Sequence, residues 1–157
     1  MHCILLEEKY MDNEMTLQFL AISENEALAR LAIMSFITSI DPTIDEVSEC
    51  KTIVSEAVSN AIIHGYADRE KPGVITLYAM REGQKVTVSI KDEGCGIDNI
   101  PLAMEPLYTT KSQLERSGMG FTIMESFSDH LQVDSIVGKG TVITFTKCFL
   151  QVPSIAI

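Results

Sequence analysis

The sequence predicts an α+β chain folded as a two-layer sandwich, a sheet covered by helices on one face. Three observations point there. Two helix starts follow one another, Ser23-x-x-Glu26 and Thr43-x-x-Glu46, each a hydroxyl residue with Glu three positions later. Two pairs of strand-like segments come afterwards, each pair joined by a glycine turn. The resulting order is strand, two helices, two strands, long loop, helix, two strands. It lacks the regular βαβ alternation of a parallel α/β fold.

Residues 16–21 alternate weakly and read as a first strand. The first helix is expected over 23–39. After Asp41-Pro42 the second capping box opens a helix over 43–64, with Gly65 suited to its C-terminal end. Strands follow at 74–79 and 85–91, joined by the hairpin Arg81-Glu82-Gly83-Gln84. Residues 97–117, with Pro101 and Pro106, form a long irregular stretch of the kind used for functional lids or left disordered. A helix at 118–127 and strands at 131–136 and 141–146 close the chain, the strands flanking Val137-Gly138-Lys139-Gly140.

The bulk properties narrow the function. A chain of 157 residues, 46% hydrophobic and 22% charged, is expected to form one domain. No apolar run approaches the roughly 18 residues a membrane span needs, and the short apolar piece Cys3 to Leu6 leads into acids rather than a secretion signal. No membrane role is therefore expected. Cys3, Cys50, Cys95 and Cys148 show no C-x-x-C spacing, so neither a zinc site nor a disulfide framework is indicated, and a reducing cytoplasm is the simplest location. The formal net charge of −10 argues against direct nucleic-acid binding and suits a protein partner with basic patches.

The most informative segment is Asp92-Glu93-Gly94-Cys95-Gly96, which ends the alternating run Val86-Thr87-Val88-Ser89-Ile90. An acid followed by Gly-x-Gly lets backbone approach a flat ligand while one carboxylate faces it. Asp-Glu-Gly is also ordinary turn chemistry, and on this segment alone both readings stand. The second helix carries Glu56 and Asn60, an i, i+4 pair on one face at the border of its apolar stripe. They form either a boundary pair bonded to each other or solvent, or a functional pair. In the second case the Asn60 amide oxygen suits Mg²⁺ and Glu56, one turn away, suits a general base.

A third element is Ser117-Gly118-Met119-Gly120-Phe121, where glycines at a helix start expose N–H groups to an anion, with Lys111 and Arg116 nearby in sequence. A hinge or a close-packing site is the alternative. The fourth is Gly138-Lys139-Gly140-Thr141, either a plain hairpin or a turn that points Thr141 at a ligand. Six of the nine glycines thus fall in three G-x-G pairs at element ends. No G-x-x-x-x-G-K-[ST] occurs, which excludes a P-loop, and protein-kinase catalytic-loop motifs are absent.

Glu56-Ala57-Val58-Ser59-Asn60, Asp92-Glu93-Gly94-Cys95-Gly96 and Ser117-Gly118-Met119-Gly120 resemble the three boxes of the gyrase, Hsp90, histidine-kinase and MutL ATPase superfamily. The longer strings around them, residues 54–66 and 115–125, are similar to those of the anti-sigma F factors of spore-forming bacteria (stage II sporulation protein AB). The resemblance covers about residues 11–147. It implies a Bergerat-type ATP-binding sandwich with a mixed, mostly antiparallel sheet. The chain is accordingly expected to divide into a poorly ordered N-terminal extension at 1–10, a single ATP-binding kinase domain at 11–147 and a C-terminal tail at 148–157, the first and last lying outside the resemblance.

By the same resemblance Asp92 reads the adenine exocyclic amine, Gly94 and Gly96 let the backbone pack near the base, and Thr141 supports the contact. Asn60 holds Mg²⁺ against the phosphates. Arg116, Ser117, Gly118 and Gly120 close on the phosphate chain, with Thr109, Thr110 and Lys111 on the lid. Glu56 activates the acceptor hydroxyl. The implied activity is transfer of the ATP γ-phosphate to a serine of an anti-anti-sigma protein, by a homodimer that also binds and inhibits a sporulation sigma factor of the sigma F type. Arg30 on the first helix either meets these partners or is a solvated arginine. Two alternatives remain: a stress-response anti-sigma kinase of the sigma B type, and a non-catalytic module that holds ATP and sequesters a partner.

Overall fold

In the computed structural model the described residues are 12–108 and 119–150. They build five strands and four helices: β1 (Asn13–Leu20), α1 (Glu24–Ile37), α2 (Ile44–Asn60), β2 (Val74–Glu82), β3 (Lys85–Asp92), α3 (Ile100–Ala103), α4 (Gly120–Phe127), β4 (His130–Ile136) and β5 (Gly140–Cys148). The sheet order is β1-β2-β3-β5-β4, and each neighbouring pair is antiparallel. The parallel component implied by the resemblance does not occur among the described strands.

Alternation along the central strands creates the layers. Ile75, Leu77 and Ala79 of β2, Val86, Val88 and Ile90 of β3, and Ile143 and Phe145 of β5 are buried on one face. Against them pack Ile33 and Ile37 of α1, Ile53, Val54, Ala57 and Val58 of α2, and Met124 of α4. The other face carries half-buried polar side chains, among them Ser89 and Thr144, whose hydroxyls lie 2.9 Å apart. The two-layer prediction holds, with α1, α2 and α4 packed on one apolar core.

The two predicted capping boxes have different outcomes. At Thr43 the box forms in full: its hydroxyl accepts the Glu46 amide at 3.2 Å, and Glu46 Oε2 accepts the Thr43 amide at 2.8 Å. At Ser23 it does not form. Ser23 has helical dihedrals and makes no side-chain cap bond. Its intended partner, Glu26, instead binds Arg30 and the hydroxyls of Ser55 and Ser59 on α2. A charged bond to another helix outcompetes a local cap.

The β2–β3 hairpin is tighter than expected. Glu82 pairs with Lys85, leaving Gly83 and Gln84 as a two-residue loop. Gly83 takes φ +59, which suits the first central position of such a turn. The chain after β5 stays with the domain: Phe149 is buried, and its amide donates to Gln84 O at 2.9 Å.

Candidate active site

The end of α2 sets the geometry. After Asn60 the helix widens into one π turn over Ala61–Gly65, closed by the Tyr66 amide on Ala61 O at 3.0 Å. Such turns insert an extra residue and are frequent at functional sites. Here the turn presents Gly65 O to the Cys95 amide at 2.8 Å. The backbones approach so closely that a Cβ on Gly94 would stand 1.9 Å from that same oxygen. Glycine at 94 is therefore required by contact.

The 92–97 turn is bound on its other side by the β4–β5 turn. The Gly138 amide donates to Cys95 O at 2.8 Å, and the Ile97 amide donates to Ser135 Oγ at 2.8 Å. Gly96 combines φ +74 with a position where a Cβ would lie 2.4 Å from Ile136 O, so it is excluded to other residues on two counts. The turn thus sits clasped between the π turn and the last hairpin.

Asp92, the final residue of β3, pairs in register with Thr141 and is buried. Its Oδ1 accepts the Gly94 amide at 2.9 Å. Burial raises the carboxyl above the usual aspartate range, against the lowering effect of the Gly94 and Thr141 amides and the Arg69 charge. The Asp92 side chain borders a cavity of about 460 Å³, a size suited to a small organic ligand. Asn60, Gly96, Gly120 and Thr141 also line it, as do Asn99 and Phe121.

The phosphate end of the expected site lies where α4 begins. A Cβ on Gly120 would be 3.1 Å from Glu56 Oε2 and 3.5 Å from Asn60 Oδ1, so both α2 side chains face the start of α4. Thr109, Thr110, Lys111, Arg116, Ser117 and Gly118 lie outside the described residues. Arg30 is not at the cavity. It donates from Nη1 to Glu26 and, at 3.2 Å, to Ser55 Oγ, between α1 and α2.

The donor set bears on the metal. Among the described residues no cluster of three or more His, Cys, Asp or Glu side chains could hold an ion. An amide oxygen beside the cavity fits Mg²⁺, which binds through one or two protein oxygens plus phosphates and water. No described helix is long and apolar enough to cross a membrane.

Sequence reasoning passed over three residues that build this site. Tyr66 accepts the Glu93 amide at 2.7 Å. Asn99 caps α3 by accepting the Leu102 amide at 3.0 Å. Its signal was legible, an Asn followed closely by Pro101 at the first helical turn. Ser135 was signalled by being the polar member of the inward-facing set Leu131, Val133, Ser135.

The family model described as a histidine kinase-like ATPase domain matches residues 19–147. An anti-sigma F factor of Lysinibacillus sphaericus is 65% identical over 142 residues, covering 90% of this chain and 97% of that protein. One from Clostridium beijerinckii is 54% identical over 138 residues, covering 88% and 96%. Among solved structures, the RsbU and RsbW domains of Rv1364c from Mycobacterium tuberculosis share the fold, with TM-score 0.67 and 18% identity over 92% of this chain and 35% of that one. The catalytic domain of histidine kinase ThkA matches with TM-score 0.52 and 19% identity, covering 86% and 96%. With the family model matching residues 19–147 and relatives matched over nearly their full length, the chain belongs to the anti-sigma F factor family of histidine kinase-like ATPases.

Proposed function

We propose that this protein is an ATP-dependent serine kinase and anti-sigma factor acting in the cytoplasm. It binds and inhibits a sporulation sigma factor and phosphorylates a serine of the anti-anti-sigma antagonist, as a homodimer with Mg²⁺. The observation that carries the reading is the meeting of Glu56 and Asn60 with Gly120, beside a cavity that Asn60, Gly120 and Asp92 all line. Asp92 suits a base, and Asn60 with the start of α4 suits a phosphate chain.

The chemistry asks the chain for positioning and a proton acceptor. Asp92 and Thr141 fix the base. Asn60 would hold Mg²⁺, and the ion would supply charge neutralisation. That role is needed because the described cavity lining contains Asp92, Asp98 and Glu105 but no lysine or arginine. Lys111 and Arg116 are the proposed cations of the 109–118 segment. Glu56 takes the proton from the acceptor serine hydroxyl as its oxygen attacks the γ-phosphorus and the bond to the β-phosphate oxygen breaks. Arg30 is the proposed contact for the protein partners.

The test is incubation of the protein with Mg-ATP, an anti-anti-sigma protein and several sigma factors. Phosphoserine on the first and co-elution with one sigma factor are expected. Glu56→Gln should keep nucleotide affinity while transfer falls by roughly 10²–10⁴-fold. Unchanged transfer would remove Glu56 from the mechanism.

A further inference from the structure

Ser135 sits at a junction where hydrogen-bond direction can be assigned by counting protons. A serine hydroxyl has one proton to donate and two lone pairs. The Ile97 amide can only donate, and it reaches Ser135 Oγ at 2.8 Å. Gly140 O can only accept, and Ser135 Oγ lies 3.0 Å from it, so the single serine proton goes there. The third neighbour, Thr141 Oγ1, is 2.8 Å from Ser135 Oγ. With the serine proton committed, that contact requires the proton of Thr141.

The consequence falls on the cavity. Thr141 is buried and lines the cavity beside Asp92, its partner in register. A Thr141 hydroxyl that donates to Ser135 has only lone pairs left for a ligand. Asp92 as a carboxylate also only accepts. This end of the cavity therefore offers acceptors, which match a ring amine and repel a ring carbonyl.

We infer that Ser135 is a positioning residue for base selectivity: it holds Thr141 as an acceptor and anchors the 92–97 turn through Ile97. The ligand class is a purine nucleotide with an exocyclic amine facing Asp92 and Thr141, as opposed to a 6-oxo purine. The inference rests on the nucleotide reading of the cavity and assigns the selectivity of that site to a residue outside its three sequence boxes.

The experiment compares dissociation constants for Mg-ATP and Mg-ITP, which differ at the ring amine. The unmodified protein should prefer ATP; equal binding would overturn the adenine reading itself. In Ser135→Ala the Thr141 hydroxyl is free to donate, and the ATP preference should shrink about tenfold. Ser135→Thr keeps a hydroxyl and should restore it. Thr141→Val should lose the same preference alone, and adding Ser135→Ala to it should change the ratio no further. A full preference in folded Ser135→Ala, or a further shift in the double variant, would overturn the role of Ser135. Should the alanine variant fail to melt cooperatively, Ser135→Cys provides the same comparison with a near-isosteric, weaker donor.

Discussion

The Tyr66 hydroxyl accepts the Glu93 amide at 2.7 Å, joining the residue that closes the π turn to the residue that follows β3. The same hydroxyl donates to Val74 O at 2.5 Å. Its ring lies so close to Gly73 that a Cβ there would be 2.2 Å from Cε1. One buried phenol thus ties the end of the α2 π turn, the start of β2 and the chain following Asp92 together. Tyr66→Phe keeps the ring and leaves a part-buried amide and carbonyl without their partner. It should cost about 1–3 kcal/mol in urea unfolding and weaken ATP binding, since the turn beside Asp92 loses an anchor. Wild-type stability in this variant would show that water replaces the phenol.

Asp92 is held ready for a ligand at a cost to the free protein. Burial raises its carboxyl above the usual aspartate value, against the pull of the Gly94 and Thr141 amides and of Arg69. Between about 3.9 and its raised folded value, the native state holds a proton that the unfolded chain has released. Stability from this group therefore falls as pH rises through that window. Asp92→Asn should melt at or above the unmodified protein at pH 7, with the difference shrinking as the solution is acidified through the window. Its ATP affinity should fall about tenfold or more, because a charged acceptor is lost. Thermal melts across pH and a binding titration check both statements.

What the sequence could and could not reveal follows from the range of each interaction. The Thr43 box was legible because both its partners lie within one turn. The Ser23 box had the same pattern and failed because Glu26 is bound by Ser55 and Ser59, which no local pattern contains. Glu56, Asn60, Asp92 and Gly120 were readable as glycine and acid-amide motifs at element ends. The π turn was not, since Ala61-Ile62-Ile63-His64 simply continues an apolar helix. Its extra residue is fixed by the distant contact between Gly65 O and the Cys95 amide.

Glu46 closes the capping box with Oε2 and accepts the Leu150 amide with Oε1 at 3.0 Å. Burial alone would raise its carboxyl. The Leu150 and Thr43 amides, the Thr43 hydroxyl and the Lys147 charge outweigh it and leave the group below the usual glutamate range. A lowered carboxyl contributes stability above its unfolded value, about 4.3, and loses it as pH falls through the folded value. Glu46→Gln should therefore cost about 1 kcal/mol at pH 7, with the gap closing in acid below pH of about 4. A gap that stays constant with pH would assign the loss to packing rather than charge.

The cysteines give a direct reading of where nucleotide sits. Cys50 is buried between helices and sheet, and burial is the main reason its thiol is pushed up to about 12, with Glu49 and Glu46 adding to the effect and Lys147 opposing it. The thiolate is the reactive form, so Cys50 should resist iodoacetamide until the protein unfolds. Cys95 and Cys148 are both exposed, but only Cys95 lines the cavity, its thiol directed to His64 O at 3.1 Å. Saturating Mg-ATP should slow alkylation of Cys95 and leave Cys148 unchanged, as followed by peptide mass spectrometry. Equal protection of both would indicate a general tightening of the fold. Labelling of Cys95 at the same rate with and without nucleotide would place the ligand away from the Asp92 turn, and with it the selectivity assigned to Thr141 and Ser135.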